Sequence, residues 1–263
     1  MKIVVTLLAL LGLAAIFVGW GAWRFYRVTH GTVARVQAQP QAGARTDLPS
    51  EVAAYLARAL GQTRPAPALR LTQSASMELK LGLGWKPLSA TQVIGAGRAG
   101  FAWIAQQGIM RVLDSYADGR GLLEVRLFAA IRIARATGAD VDRAEVMRYL
   151  AELPWAPDAI ALNRALEWQV HDPEHWTVRL NDVAVQFRLE KGDVVEVTAR
   201  NRPAIEAGKT VLRDWRGVFG DHRETCGRRI PHQGEVGYMI DGSFAPYFKG
   251  RIIGCAPVAT AGP

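Results

Sequence analysis

From Ile3 to Trp23 the chain carries an uncharged, predominantly apolar run of 21 residues. As a helix rising about 1.5 Å per residue it reaches roughly 31 Å, close to the ~30 Å hydrocarbon thickness of a bilayer. Trp20 and Trp23, followed by Arg24, Tyr26 and Arg27, have the composition of an interfacial belt. A cleaved secretory signal would need a shorter apolar region and a small-x-small site, and Gly-Trp-Gly-Ala-Trp is a poor one. The pattern predicts an uncleaved N-terminal transmembrane anchor over residues 1–27. Residues 28–47 lack apolar periodicity and predict a linker, which leaves 48–263 as the folded domain.

Within that domain Val52, Tyr55, Leu56 and Leu60 recur at helical spacing before Gly61. From Ala68 the period changes to two. Leu69, Leu71, Gln73, Ala75, Met77 and Leu79 alternate with Arg70, Thr72, Ser74, Ser76, Glu78 and Lys80, as in a half-buried strand. Strand patterns continue over 85–94, 99–106, 109–116 and 122–135, with Gly84, Gly97, Gly100, Gly108 and Asp118-Gly119 as punctuation. Asp142 and Glu145 have capping-box spacing and predict a helix through about Leu153, with a short helix restarting at Pro157. Further strands are predicted at about 165–171, 174–180, 183–190, 193–200, 215–225, 235–240 and 246–254. Roughly ten antiparallel strands with two helical insertions predict a mainly β, α+β domain: a large curved sheet or half-barrel lidded by helices. Its concave face either is filled by side chains or encloses an apolar ligand.

Charge and cysteines refine this only partly. The formal charge of +8 comes mostly from dispersed arginine, which suits a surface of anionic headgroups. No basic helix, zinc-finger spacing or RNA-binding signature points to nucleic acid. Arg24, Arg27, Arg35 and Arg45 follow the apolar run, and by the positive-inside rule would hold the domain in the cytoplasm, whereas the signal-like start argues for export. Cys226 and Cys255 permit one disulfide in an oxidising compartment and are equally ordinary as two thiols in a reducing one.

Phe101 and Trp103 share one strand face, and Trp155, Trp168 and Phe187 are large groups able to meet them on the concave side, either as a ligand pocket or as plain core. Arg148 and Glu152 are four apart on a helix; they suit a polar headgroup, or form a solvated pair giving about 0.2–0.5 kcal/mol of helix support. Trp155, between Pro154 and Pro157, suits docking of the helix end. His171, Asp172 and His175 surround a turn without a convincing third or fourth ligand, so no metal site is expected. His222 and His232 flank Cys226, the only hint of a thiol nucleophile with a base. Gly95-Ala96-Gly97-Arg98-Ala99-Gly100 matches the letters of a dinucleotide fingerprint but opens no helix, so no cofactor is expected.

The segment from Glu145 through Arg148-Tyr149-Leu150-Ala151-Glu152-Leu153-Pro154-Trp155-Ala156-Pro157 resembles the central motif of a bacterial membrane-anchored domain family of unknown function. Phe101–Ala105, Asp114–Gly121, Gly234-Glu235-Val236 and Tyr247-Phe248-Lys249-Gly250 extend the resemblance over about residues 48–255, with Gly237-Tyr238 standing where a tryptophan is expected. The strand order is similar to the half-barrel of periplasmic lipoprotein carriers. Together with the anchor, the resemblance implies a bacterial inner-membrane, single-pass protein with a periplasmic domain. It further implies binding, without catalysis, of a lipid or lipoprotein acyl chain, for which the residue patterns above offer Phe101, Trp103, Arg148, Glu152, Trp155, Trp168 and Phe187 as the candidate ligand-binding residues. The alternatives are a hydrolase or thiol enzyme using Cys226/His222 or the Glu152 region, and an interaction module with a filled core.

Overall fold

The computed structural model describes residues 2–40, 43–78, 82, 84–206 and 208–259. Leu79 and Lys80, the last positions of the first predicted strand alternation, lie outside the described residues. Among the described residues four helices occur: α1 (Lys2–Gln37), α2 (Ser50–Leu60), α3 (Ala139–Ala151) and α4 (Pro157–Leu162), with a 3-10 turn at Leu153–Trp155. The strands are β1 (Ala68–Met77), β2 (Lys86–Gly95), β3 (Phe101–Gln107), β4 (Met110–Ala117), β5 (Arg120–Leu127), β6 (Ile131–Ala136) and β7 (Glu167–Asp172). They continue with β8 (His175–Leu180), β9 (Val183–Glu190), β10 (Asp193–Glu206), β11 (Lys209–Thr225), β12 (Arg228–Ile240) and β13 (Ser243–Val258).

These 13 strands form one open antiparallel sheet in the order β6-β5-β4-β3-β2-β1-β13-β12-β11-β10-β9-β8-β7. The sequence divides into two meanders, and β1 and β13 seal them together along ten paired residues from Ala68↔Val258 to Met77↔Phe248. Strands β5 and β9 are nine spacings apart, roughly 43 Å in a flat sheet at about 4.8 Å each. Helix α3 is only about 20 Å long, yet it touches both. The sheet must therefore curl around α3, which lies in the trough with the 3-10 turn and α4 beyond it.

Strand β3 is buried on both faces because helices cover both. Phe101, Trp103 and Ala105 join the main core on the α3 side, whereas Ala102 and Ile104 point the other way and pack with Val36 of α1. This corrects the expected linker: α1 continues to Gln37. Phe25, Thr29, Thr32 and Val36, spaced by three or four residues, are buried, whereas residues 2–10 and 12–20 are exposed. Gly21 sits where α1 meets the sheet. A Cβ there would lie 2.8 Å from the carbonyl oxygen of Ala130, while Arg126 donates to the Gly21 and Ala130 carbonyls at 3.0 and 3.1 Å.

Two further expectations change. The run 122–135 is two strands, joined by a turn with positive φ at Phe128 (50°) and Ala129 (60°). Helix α3 starts after Gly138 (φ 107°), so Asp142 and Glu145 form no capping box; Asp142 accepts from the Gly121 N–H at 2.6 Å and Glu145 is buried. Arg228 opens β12 and is buried against Asp158.

Candidate functional site

A line of polar side chains runs through the apolar trough beneath α3. Trp103 Nε1 donates to Gln73 Oε1 (2.8 Å), Gln73 Nε2 to Gln92 Oε1 (2.9 Å), and Gln92 Nε2 to Glu152 Oε2 (2.5 Å). Arg148 continues the line, donating to Glu152 Oε1 at 2.9 Å and Asp114 Oδ2 at 2.6 Å. Its guanidinium lies over the Phe101 and Trp103 rings, 4.7 and 5.2 Å from their centroids. Each buried donor thus meets an acceptor, which is the condition for tolerating polar groups in a core. Burial pulls the Arg148 pKa down, but Glu152, Asp114 and Glu145 outweigh it and the net shift is upward.

The line ends at an open cavity of about 1150 Å³ between α3, β5–β6 and the β10–β11 hairpin. Leu123, Val141, Ala144, Ala204 and Ile240 contribute apolar wall, while Asp114, Glu145, Arg202, Tyr238 and Tyr247 form a polar floor. Arg202 stacks on Trp215 (5.5 Å), donates to Tyr238 Oη (3.1 Å), and approaches Glu145 Oε1 at 4.0 Å. Trp215 Nε1 donates to Tyr247 Oη at 2.9 Å, and burial pushes the Tyr247 phenol up to about 12. Glu145 Oε2, Asp114 Oδ1 and Arg202 Nε are buried without a hydrogen-bond partner among the described residues.

Burial, then the nearby Asp114 carboxylate, raises Glu145 to about 8 against the attraction of Arg202 and Arg148. Charge balance gives the same direction. The cations Arg148 and Arg202 are already matched by Asp114 and Glu152, so a protonated Glu145 leaves the group neutral. In that form its unpartnered oxygen can donate a hydrogen bond or accept one, and Arg202 Nε can donate.

None of the seven residues expected to bind ligand lines this cavity. Phe101 and Trp103 are packed beneath Arg148. Arg148 and Glu152 are not a solvated pair: their side chains are only 17% and 10% exposed, because α3 lies in the trough. Trp155 packs edge-on to Phe219 (5.3 Å) and donates to the Pro231 carbonyl at 2.9 Å, docking the helix end against β11 and β12. Trp168 stands edge-on to Trp176 (6.4 Å) and Phe187 (5.9 Å), and Phe187 borders a separate pocket of about 240 Å³. Sequence reasoning missed Asp114, Arg202, Tyr238 and Tyr247, and misassigned Glu145. The available signal was Gln73, a polar residue in an inward-facing alternation.

The thiol reading fails on geometry. Cys226 and Cys255 are joined in a disulfide with Cα atoms 5.8 Å apart, so neither offers a thiolate. His222 Nε2 lies 3.0 Å from the Val194 carbonyl oxygen, and burial lowers its pKa. Both Glu152 oxygens are engaged by Arg148 and Gln92. His171 bonds Thr177 and His175 bonds Asp172; among the described residues no three His, Cys, Asp or Glu side chains gather to hold a metal.

Solved structures similar to the chain include the following three. A domain described as an outer membrane lipoprotein-sorting protein from Vibrio parahaemolyticus matches at 10% identity and TM-score 0.44, covering 78% of this chain and 90% of its own. A LolA superfamily protein from Nitrosomonas europaea gives 7% identity and TM-score 0.38, covering 78% and 92%. A DUF1329 family protein from Desulfovibrio piger gives 9% identity and TM-score 0.43, covering 79% and 93%. No curated protein matches the chain. A family model matches residues 38–250, beginning directly after α1, and by that match the chain belongs to DUF6544, a family of unknown function.

Proposed function

We propose that the domain binds an amphipathic lipid or a lipoprotein acyl chain in the α3 cavity and performs no chemistry on it. The observation that carries this reading is the pairing of apolar walls with unpartnered Glu145 Oε2 and Arg202 Nε at the floor. Buried polar atoms normally find partners, so these two suit the polar head of a ligand whose apolar part lies along Leu123, Val141 and Ile240. The volume of about 1150 Å³ exceeds the ~300–1000 Å³ typical of small-molecule sites and accommodates a long aliphatic group. Phe101, Trp103, Arg148 and Glu152 act in this reading as the bed that holds the floor, with Trp155 fixing α3 and Trp168 and Phe187 bracing the far wall.

Residues 1–27 serve as a single-pass anchor in a bacterial inner membrane and 48–263 as the binding domain. The Cys226–Cys255 bond supports a periplasmic location, since such bonds persist in oxidising compartments. The test is lipid extraction and native mass spectrometry of the full chain purified in mild detergent. Ala136 and Ala139 line the cavity, and Ala136→Trp or Ala139→Trp should each reduce the retained lipid at least fivefold. Equal retention by both folded variants would count against the cavity as the binding site.

A further inference from the structure

Strand register sends one set of strand ends toward the point where α1 leaves the sheet. Ala130, in the β5–β6 turn, is in contact with Gly21. The Phe128 N–H of the same turn donates to the Ile109 carbonyl at 2.8 Å, in the β3–β4 turn. Gln107 Nε2, next to that turn, donates to the Lys86 carbonyl at 3.1 Å, adjacent to Trp85. These contacts connect Trp85, Ile109, Phe128 and Ile131 along one edge, and all four are exposed, by 37%, 51%, 60% and 46%. Folding alone does not call for this. The positive φ at Phe128 and Ala129 favours Asn, Asp or Gly, and the turns Asp118-Gly119 and Asp241-Gly242 use the last two, whereas an exposed Phe there gains no core packing.

The occupant is specified by α1. Just N-terminal to Gly21 the helix is exposed and apolar, and about 27 Å of it, residues 3–20, projects beyond the domain. Trp20 and Trp23 carry Arg24 and Arg27 over their rings at 5.3 and 5.5 Å, a composition suited to the headgroup level. The Gly21–Ala130 contact puts the apolar edge at that same level, with exposed Lys86 and Arg132 beside it. We propose that Trp85, Ile109, Phe128 and Ile131 form a second membrane contact, inserting shallowly into the leaflet from which α1 emerges. Aromatic and aliphatic side chains flanked by basic residues bind an anionic interface in this manner. Met77 and Glu78 border the cavity, and Met77 pairs with Lys86, so the contact holds that part of the cavity rim toward the bilayer. The inference rests on α1 being a membrane anchor.

The experiment uses the full chain in vesicles of phosphatidylethanolamine and phosphatidylglycerol, with an environment-sensitive fluorophore on one introduced cysteine and brominated acyl chains as quencher. The native disulfide leaves the new thiol as the labelling site. Ala129→Cys reports on the edge, Leu8→Cys on α1, and Ile253→Cys, 63% exposed and well up β13, on a surface away from it. Quenching at position 129 should be at least twofold greater than at 253, and adding Phe128→Glu with Ile131→Glu should bring it down to the level at 253. Strong quenching at position 8 with equal quenching at 129 and 253 would overturn the second contact while leaving the anchor intact. Absence of quenching at position 8 would overturn the anchor, and the second contact with it.

Discussion

Glu145 Oε1 and Arg202 Nη2 stand 4.0 Å apart at the cavity floor, close enough to attract but not hydrogen-bonded, and the other Glu145 oxygen has no partner among the described residues. Burial makes the protonated acid the favoured form in the folded chain, with its pKa raised from 4.5 to about 8. The folded state therefore binds this proton more tightly than the unfolded chain does. The associated stability is fully present below about pH 4.5 and is lost as pH rises through about 8. Glu145→Gln should match the parent near pH 5 and exceed it at pH 9, measured by denaturant titration across that range. Retention of an anionic lipid should also fall in the parent above pH 8, as the floor gains negative charge, and stay level in the Gln variant. Parallel stability profiles for the two proteins would contradict the protonated assignment.

The Cys226–Cys255 bond closes a separation of 29 residues at the junction of α2, β12 and β13. Chain-entropy arguments give about 3–4 kcal/mol for a loop of that size. The double substitution Cys226→Ser with Cys255→Ser should lower the denaturant midpoint accordingly. Alkylation of the full chain isolated from cells without reductant, followed by mass measurement, should find neither cysteine modified. Quantitative alkylation without reductant would remove the disulfide and the support it gives to a periplasmic domain.

Asp158 of α4 and Arg228 of β12 form a fully buried pair. Arg228 donates from Nη2 to Oδ1 at 2.7 Å and from Nε to Oδ2 at 3.2 Å, while Asp158 also accepts from the Ala66 N–H at 2.6 Å. Asp158→Asn leaves the guanidinium buried without its counter-charge, a change that costs about 3–5 kcal/mol. Thermal and chemical unfolding should both report the loss. A shift below about 1 kcal/mol would indicate that water reaches the pair and that α4 is loosely held.

Much of the domain is readable from periodicity because the relevant signals are local. Val52, Tyr55 and Leu60 announce α2, the alternation from Leu69 to Met77 announces β1, and Pro157 announces α4. Where the local signal is absent, the reading fails for identifiable reasons. Phe128 and Ala129 turn the chain without Gly or Asn, so β5 and β6 read as one strand. Thr29 and Thr32 look polar in a Gln- and Ala-rich stretch, yet they lie on the buried stripe of α1 with Phe25 and Val36. The β1–β13 seam joins residues 171 to 190 positions apart, from Met77↔Phe248 to Ala68↔Val258, a pairing that neither strand's pattern encodes. The cavity floor is hidden for the same reason: Asp114, Glu145 and Arg202 lie on β4, α3 and β10, and only the curl of the sheet brings them together.

The central claim is that an acyl chain occupies the trough beneath α3, and photocrosslinking in the living cell tests it most directly. Leu123 lines the cavity, and Ile253 lies on the exposed surface of β13. A benzophenone side chain at Leu123 in the otherwise native full chain should, on illumination, give a lipid adduct detectable by mass spectrometry. The adduct should disappear when Ala136→Trp is added, and Ile253 should give none. A Leu123 probe that yields no lipid adduct, or yields the same adducts as Ile253 regardless of Ala136→Trp, would contradict the account.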